Sequence, residues 1–185
     1  MTRLIDGQGR LLNHVELLYR PGERQLTGQV FEILGCGVVE SGGPYLVIPI
    51  IEGSEDTTNN VIYASEVTPE QWRFEQMLQS RLADEPELAG AYEGYAELLR
   101  REPQRATHFG IRFPAQQRLE ETVDRIRGGL GPDLQGRLEV SAVFYPGDQG
   151  ALSPTLIQAF AKTDVFAAGL ITMGQHVELQ AVQGS

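Results

Sequence analysis

The chain predicts an α+β fold built from two versions of one unit with a helical connector between them. Three observations carry this expectation. Short strands that alternate apolar and polar residues open both halves, and each is followed by a stretch of helical periodicity and then by further strands. All three histidines sit in such strands, and two of them, His14 and His176, open the same tetrapeptide His-Val-Glu-Leu. Between the halves, Thr68-Pro69-Glu70 has the composition of a helix start: a capping threonine, a proline at the first helical position, then an acid.

The first unit reads strand, helix, strands. Residues 11–19 alternate as a strand, which Pro21-Gly22 ends. Residues 23–34 place Leu26, Val30, Phe31 and Leu34 at helical spacing, and Gly35 follows where a left-handed C-terminal cap is favoured. Residues 37–40 and 45–51 predict a hairpin around Ser41-Gly42-Gly43-Pro44. The polar run 53–60 reads as a loop and 61–67 as a further strand. The connector follows from Thr68, divided by Pro86 from a second helix over 88–101. The second unit repeats the plan: a strand over 108–113, a helix over 116–130, and a strand over 136–145. Two more strands follow over 156–165 and 166–182, the last interrupted near Gly174. Residues 1–67, 68–104 and 105–185 are thus read as first unit, connector and second unit.

Composition narrows the function classes. An apolar fraction of 41% in 185 residues is enough for a proper core. No long apolar run could span a bilayer, and the N-terminus lacks a basic region followed by an apolar stretch, so a cytoplasmic protein is expected. A net charge of −10 argues against nucleic acid and anionic membranes as partners and suits a cationic ligand. The one cysteine, Cys36, lies among Ile33, Leu34 and Val38, a setting for a buried structural thiol.

Strand parity sorts the candidate residues. His14 and Glu16 share one face against Val15, Leu17 and Tyr19. His108, Gly110 and Arg112 oppose Phe109, Ile111 and Phe113, and His176, Glu178 and Gln180 oppose Val177 and Leu179. Each strand so offers one side to a helix-covered core and the other side carries metal-ligand or acid/base groups.

A duplicated β-α-β-β-β unit with histidine in the first strand and glutamate in the last resembles the vicinal oxygen chelate superfamily, which includes glyoxalase I, extradiol dioxygenases and the bleomycin resistance proteins. The segments that carry the resemblance are Leu12-Asn13-His14-Val15-Glu16-Leu17-Leu18, Glu32-Ile33-Leu34-Gly35-Cys36, Thr107-His108-Phe109-Gly110-Ile111 and Gly174-Gln175-His176-Val177-Glu178-Leu179-Gln180. It implies two βαβββ modules forming a cup-shaped mixed sheet, with strands starting near Leu11 and Thr107 adjacent in it. It also implies one divalent metal whose ligands come from the first and last strands of each module. By position these are His14, His108 and Glu178. The fourth place stays undetermined, since one alignment puts Val47 there and another Glu66 or Tyr63.

Two histidines and one glutamate with open positions match the facial triad of extradiol dioxygenases better than the four-ligand glyoxalase pattern. Such a metal chelates two neighbouring oxygens of a small oxygen-rich substrate and polarises them or binds dioxygen. Fe(II) is favoured, and Zn, Ni or Mn suit the same donors. Glu16 and His176 are the catalytic candidates, with Glu16 alternatively pairing Arg112 as structure. Arg112, Tyr63 and Tyr145 are substrate-binding candidates. The rival reading is a metal-free protein of the bleomycin-resistance type, which holds a cationic drug with acidic and aromatic groups. Paired modules complete one cup within a chain, and dimerisation of many relatives leaves a homodimer open.

Overall fold

The computed structural model describes residues 12–54, 56–166 and 175–184, excepting the side chains of Gln175 and His176. The start of the first strand at Leu11 and the interruption near Gly174 lie outside these residues.

In chain order the first half contains β1 (His14–Tyr19), α1 (Arg24–Ile33), β2 (Tyr45–Pro49) and β3 (Val61–Glu66). The connector is α2 (Pro69–Asp84) and α3 (Pro86–Arg101), followed by a short 3-10 turn at Pro103–Arg105. The second half contains β4 (His108–Arg112), α4 (Gln116–Gly128), β5 (Leu138–Phe144), β6 (Leu156–Thr163) and β7 (Gln175–Val182). The result is a mixed α+β protein with two mixed sheets, ordered β1-β3-β2 and β4-β7-β6-β5.

The two sheets share one pairing rule. The first strand of each half runs parallel to its last strand, β1 to β3 and β4 to β7. The strand before the last then pairs antiparallel with it, β2 with β3 and β6 with β7. The N-terminal sheet is thinner by one strand. Where residues 37–40 were expected to pair, the contact with β2 is short: an isolated bridge joins Val39 to Val47, and Gly37 N–H donates to Pro49 O at 3.0 Å. The chain leaves α1 through Gly35, whose φ of +85° an L side chain rarely adopts. Cys36 N–H still closes onto Phe31 O at 2.9 Å.

Alternation sets the layers. In β1, Leu17 and Tyr19 are buried while His14 and Glu16 are exposed. Helix α1 covers the apolar face of the N-terminal sheet with Val30 and Phe31, and α4 covers that of the C-terminal sheet with Leu119, Val123 and Ile126. The two helices also touch each other, so residues of both halves join one hydrophobic cluster. Phe31 stacks on Phe166 with ring centroids 4.9 Å apart. Burying a side chain of that size stabilises by about 1.5–3 kcal/mol.

A chain of charges crosses the same junction. Arg137 reaches Glu23 and Asp164, each at 2.8 Å, and Arg20 reaches Asp164 at 3.0 Å. The Arg20 guanidinium also lies over the Trp72 ring, 5.8 Å from its centroid, which ties half-buried Trp72 of α2 to the body. The pairing with Glu23 and Asp164 holds the Arg137 guanidinium well above its ordinary range.

One expectation is corrected here. The strands beginning near His14 and His108 are not neighbours, because β1 and β4 belong to different sheets. The chain leaving β6 takes the end of β1 instead: Tyr19 bridges antiparallel to Phe166, and Arg20 N–H donates to Val165 O at 3.2 Å. The connector is helical as expected. Thr68 Oγ1 accepts from Gln71 N–H at 3.2 Å, and Pro86 opens α3 two residues earlier than position 88. No helix among the described residues is long and apolar enough to cross a membrane.

Candidate functional site

On the C-terminal sheet, strand register places Gly110, Glu178 and Phe160 in one row, flanked by His108 and Lys162 on one side and Gln180 and Gln158 on the other. Glu178 is only 6% exposed although it points away from the α4 side. Its Oε1 accepts from the amides of Gln158 and Gln180, the latter at 2.8 Å. Its Oε2 lies 3.2 Å from His108 Nε2. Leu152 N–H donates to Gln158 Oε1 at 3.2 Å, so the loop before β6 helps to close over this row.

His108 is oriented from behind. Its Nδ1 sits 2.8 Å from Ala106 O, and a carbonyl only accepts, so Nδ1 carries a proton there. That leaves Nε2 as the atom presented to Glu178. The ring also packs edge-on to Phe160 at 5.5 Å, and Phe160 packs edge-on to Phe144 at 6.0 Å. A Cβ added at position 110 would stand 3.8 Å from the Glu178 carboxylate, in ordinary van der Waals contact, so Gly110 lies directly against that group. The His108–Glu178 contact is an ion pair when the imidazole carries both protons.

The N-terminal sheet places its polar residues separately. His14 Nδ1 is 2.7 Å from Asn13 Oδ1, and the ring lies 5.2 Å from that of Tyr63. Tyr63 meets Tyr45 edge-on at 5.3 Å and donates its hydroxyl to Thr57 O at 2.8 Å. Glu16 accepts from Ser65 Oγ and so does not take Arg112, the partner expected for it. Loop residues 56–59 lie over this end of the sheet. Asn13 bonds Thr58 O and Asn59, while Asp56 accepts from the backbone and side chains of Thr58 and Asn59. Those donors pull the Asp56 carboxyl down to about 2.

Of the three expected ligands, the structure brings His108 and Glu178 together and leaves His14 with Tyr63 and Asn13. Donors about 2.0–2.2 Å from one ion lie roughly 3.0–3.4 Å from each other, so the pair has a spacing that a metal accepts. Yet among the described residues no group of three or more His, Cys, Asp or Glu side chains is arranged to hold a metal ion. Glu66, a candidate fourth ligand, caps the Gly22 N–H at 2.8 Å, and Val47 is buried. Arg112 is exposed. Tyr145 turns toward α4, its hydroxyl 3.4 Å from Glu120, with burial and that carboxylate raising its phenol. His176 pairs through its backbone with His108 and Lys162, and its side chain lies outside the described residues.

Gln158 and Phe160 escaped the sequence reading. The available signal was a lone amide in the apolar run Ile157-Gln158-Ala159-Phe160-Ala161. Parity puts it on the face of Glu178, but only once the register between β6 and β7 is known.

No family model matches the chain, and no curated protein matches it. Among solved structures, that of hypothetical protein SA1046 from S. aureus is similar over 94% of this chain and 96% of its own. The identity is 12% and the TM-score 0.45.

Proposed function

We propose that the protein is a cytoplasmic, metal-independent binder of a cationic small molecule, a relative of the bleomycin-resistance branch of the vicinal oxygen chelate superfamily. The observation that carries this reading is the open cluster on the polar face of the N-terminal sheet. There Tyr63 stands between His14 and Tyr45, and Glu16 is exposed one strand away. Aromatic faces beside a carboxylate attract cations, and the net charge of −10 reinforces that attraction at long range. The repeated pairing rule of the two sheets supports two βαβββ modules, and a cup between them is the fold on which the reading rests. Isothermal titration of the protein with a bleomycin-type cationic glycopeptide tests it. Saturable binding that weakens at least about tenfold in Tyr63→Ala is expected. No heat at millimolar ligand rejects the reading.

A second reading, a metal-dependent dioxygenase-like or glyoxalase-like enzyme, is favoured by the spacing and orientation of His108 and Glu178. In that case a bound divalent ion would polarise substrate oxygens, while Gln158 and Gln180 would steer the Glu178 carboxylate and Ala106 would fix the His108 ring. Elemental analysis of protein purified without chelators separates the two. Stoichiometric Fe, Zn, Ni or Mn that disappears in His108→Ala supports the enzyme.

A further inference from the structure

Strand register orders the aromatic cluster of the N-terminal sheet. Tyr63 stands level with Glu16 and Val47 in the middle of the polar face. His14 lies level with Val61, two residues before Tyr63, and Tyr45 lies level with Ser65, two residues after it. The Tyr63 and Tyr45 rings meet at 62° with centroids 5.3 Å apart, so they form two walls of a corner, and Tyr45 is 42% exposed. Ser65 donates its hydroxyl to Glu16 and so draws that carboxylate toward the Tyr45 end. The polar handles of the rings are engaged elsewhere. Tyr63 donates to Thr57 O at 2.8 Å, and His14 is tied to Asn13, which Thr58 and Asn59 hold in turn. Glu16 has Ser65 as partner and no cation among the described residues. Arg24 reaches Tyr45 O at 3.1 Å, but its charge is taken by Glu40 at 2.9 Å. The corner therefore offers a ligand ring faces and one uncompensated carboxylate.

We propose that this corner selects a quaternary ammonium group, such as the trimethylammonium of choline, over a primary amine. The inference rests on the cation-binding reading above and names the class of cation. A primary ammonium carries three N–H donors and must exchange its water for acceptors. The corner is poor in them, because Glu16 already accepts from Ser65 and the Tyr63 hydroxyl is turned to Thr57. A quaternary ammonium has no N–H to satisfy. It presents its charge through methyl groups, which pack against aromatic faces and are attracted by their negative potential. Preorganisation adds to this. The 56–59 loop fixes Tyr63 by its hydroxyl and His14 through Asn13, so the ring at the centre of the cluster has little freedom left to lose on binding.

NMR titration of the full chain with choline, ethanolamine and the neutral tert-butyl analogue of choline tests the selection. Choline is expected to bind with a dissociation constant of about 1–10 mM, and the other two at least about tenfold more weakly. Tyr45→Leu and Glu16→Gln should each weaken choline by about fivefold or more, with far-UV spectra matching the parent's. Tyr45→Phe, which keeps the ring, should bind choline at least about threefold more tightly than Tyr45→Leu. Ethanolamine or the neutral analogue binding as tightly as choline overturns the proposal. So does choline binding that survives Tyr45→Leu. A bleomycin-type glycopeptide that binds and is lost in Tyr63→Ala, while choline gives no shift at about 50 mM, overturns this inference alone. Silence from both ligands overturns the cation-binding reading with it.

Discussion

The two halves follow the same pairing rule and treat their polar faces in opposite ways. On the N-terminal sheet His14 and Glu16 stay in solvent, and Tyr63 is covered only in part. On the C-terminal sheet the corresponding face is sealed at Glu178, Gln158 and Phe160. The difference comes from what lies beside each face. The C-terminal sheet has a full fourth strand, β5, which α3 packs against, and a loop that reaches Gln158. In that position the N-terminal sheet has the short contact of Gly37 and Val39 with β2. A repeated fold therefore gives two chemically distinct surfaces: an open one suited to capturing a ligand and a closed one suited to holding a charge in fixed geometry.

Breaking the junction should erase the contrast altogether. Phe31→Ala removes a fully buried ring stacked on Phe166 and should cost about 3–5 kcal/mol, measured by urea unfolding. Since the cluster spans both halves, fluorescence and far-UV signals should still melt together. Two separate transitions would show that each half holds itself.

The polar faces themselves differ next. Glu178→Ala strands His108, Gln158 and Gln180 in a buried site and should cost roughly 2–4 kcal/mol. Glu16→Ala, with only Ser65 to lose, should cost under about 1 kcal/mol. Equal losses would mean that the N-terminal face is covered in solution as well.

The smallest effect is local and pH-dependent. The Asp56 carboxyl is held at about 2, below its ordinary 3.8, so the folded loop binds the proton less readily than the unfolded chain. Its stabilisation of the 56–59 turn is complete above the ordinary value and fades as pH falls toward 2. The amide resonances of Thr58 and Asn59 should shift across that window and stay constant above pH 5. Asp56→Asn should flatten the shift.

Much of this was legible in the sequence. Alternation alone sorted Leu17 and Tyr19 inward from His14 and Glu16, and Thr68-Pro69 marked the start of α2 to the residue. Local signals of that kind depend on neighbours in the chain. What stayed hidden depends on partners far away. That Glu178 would be buried required knowing that Gln158 stands beside Gln180, and that β1 would end against Phe166 required knowing which edge was left free. The matching of His14 with His108 was sound as a statement about position within each unit, but could not say whether the two strands would meet.

The charges that cross the junction also bear on how the chain reaches this state. Arg137 and Glu23 are 114 residues apart in sequence, and Arg20 and Asp164 are 144 apart. Closing loops of that length costs entropy that is repaid only when the ends dock, so these pairs are expected in the last part of the folding reaction. Contacts made after the rate-limiting barrier slow unfolding and leave the folding rate almost untouched. The network of Arg20, Glu23, Arg137 and Asp164 is therefore expected to act as a latch in time: Asp164→Ala should speed unfolding and leave the folding rate almost untouched in stopped-flow denaturant jumps.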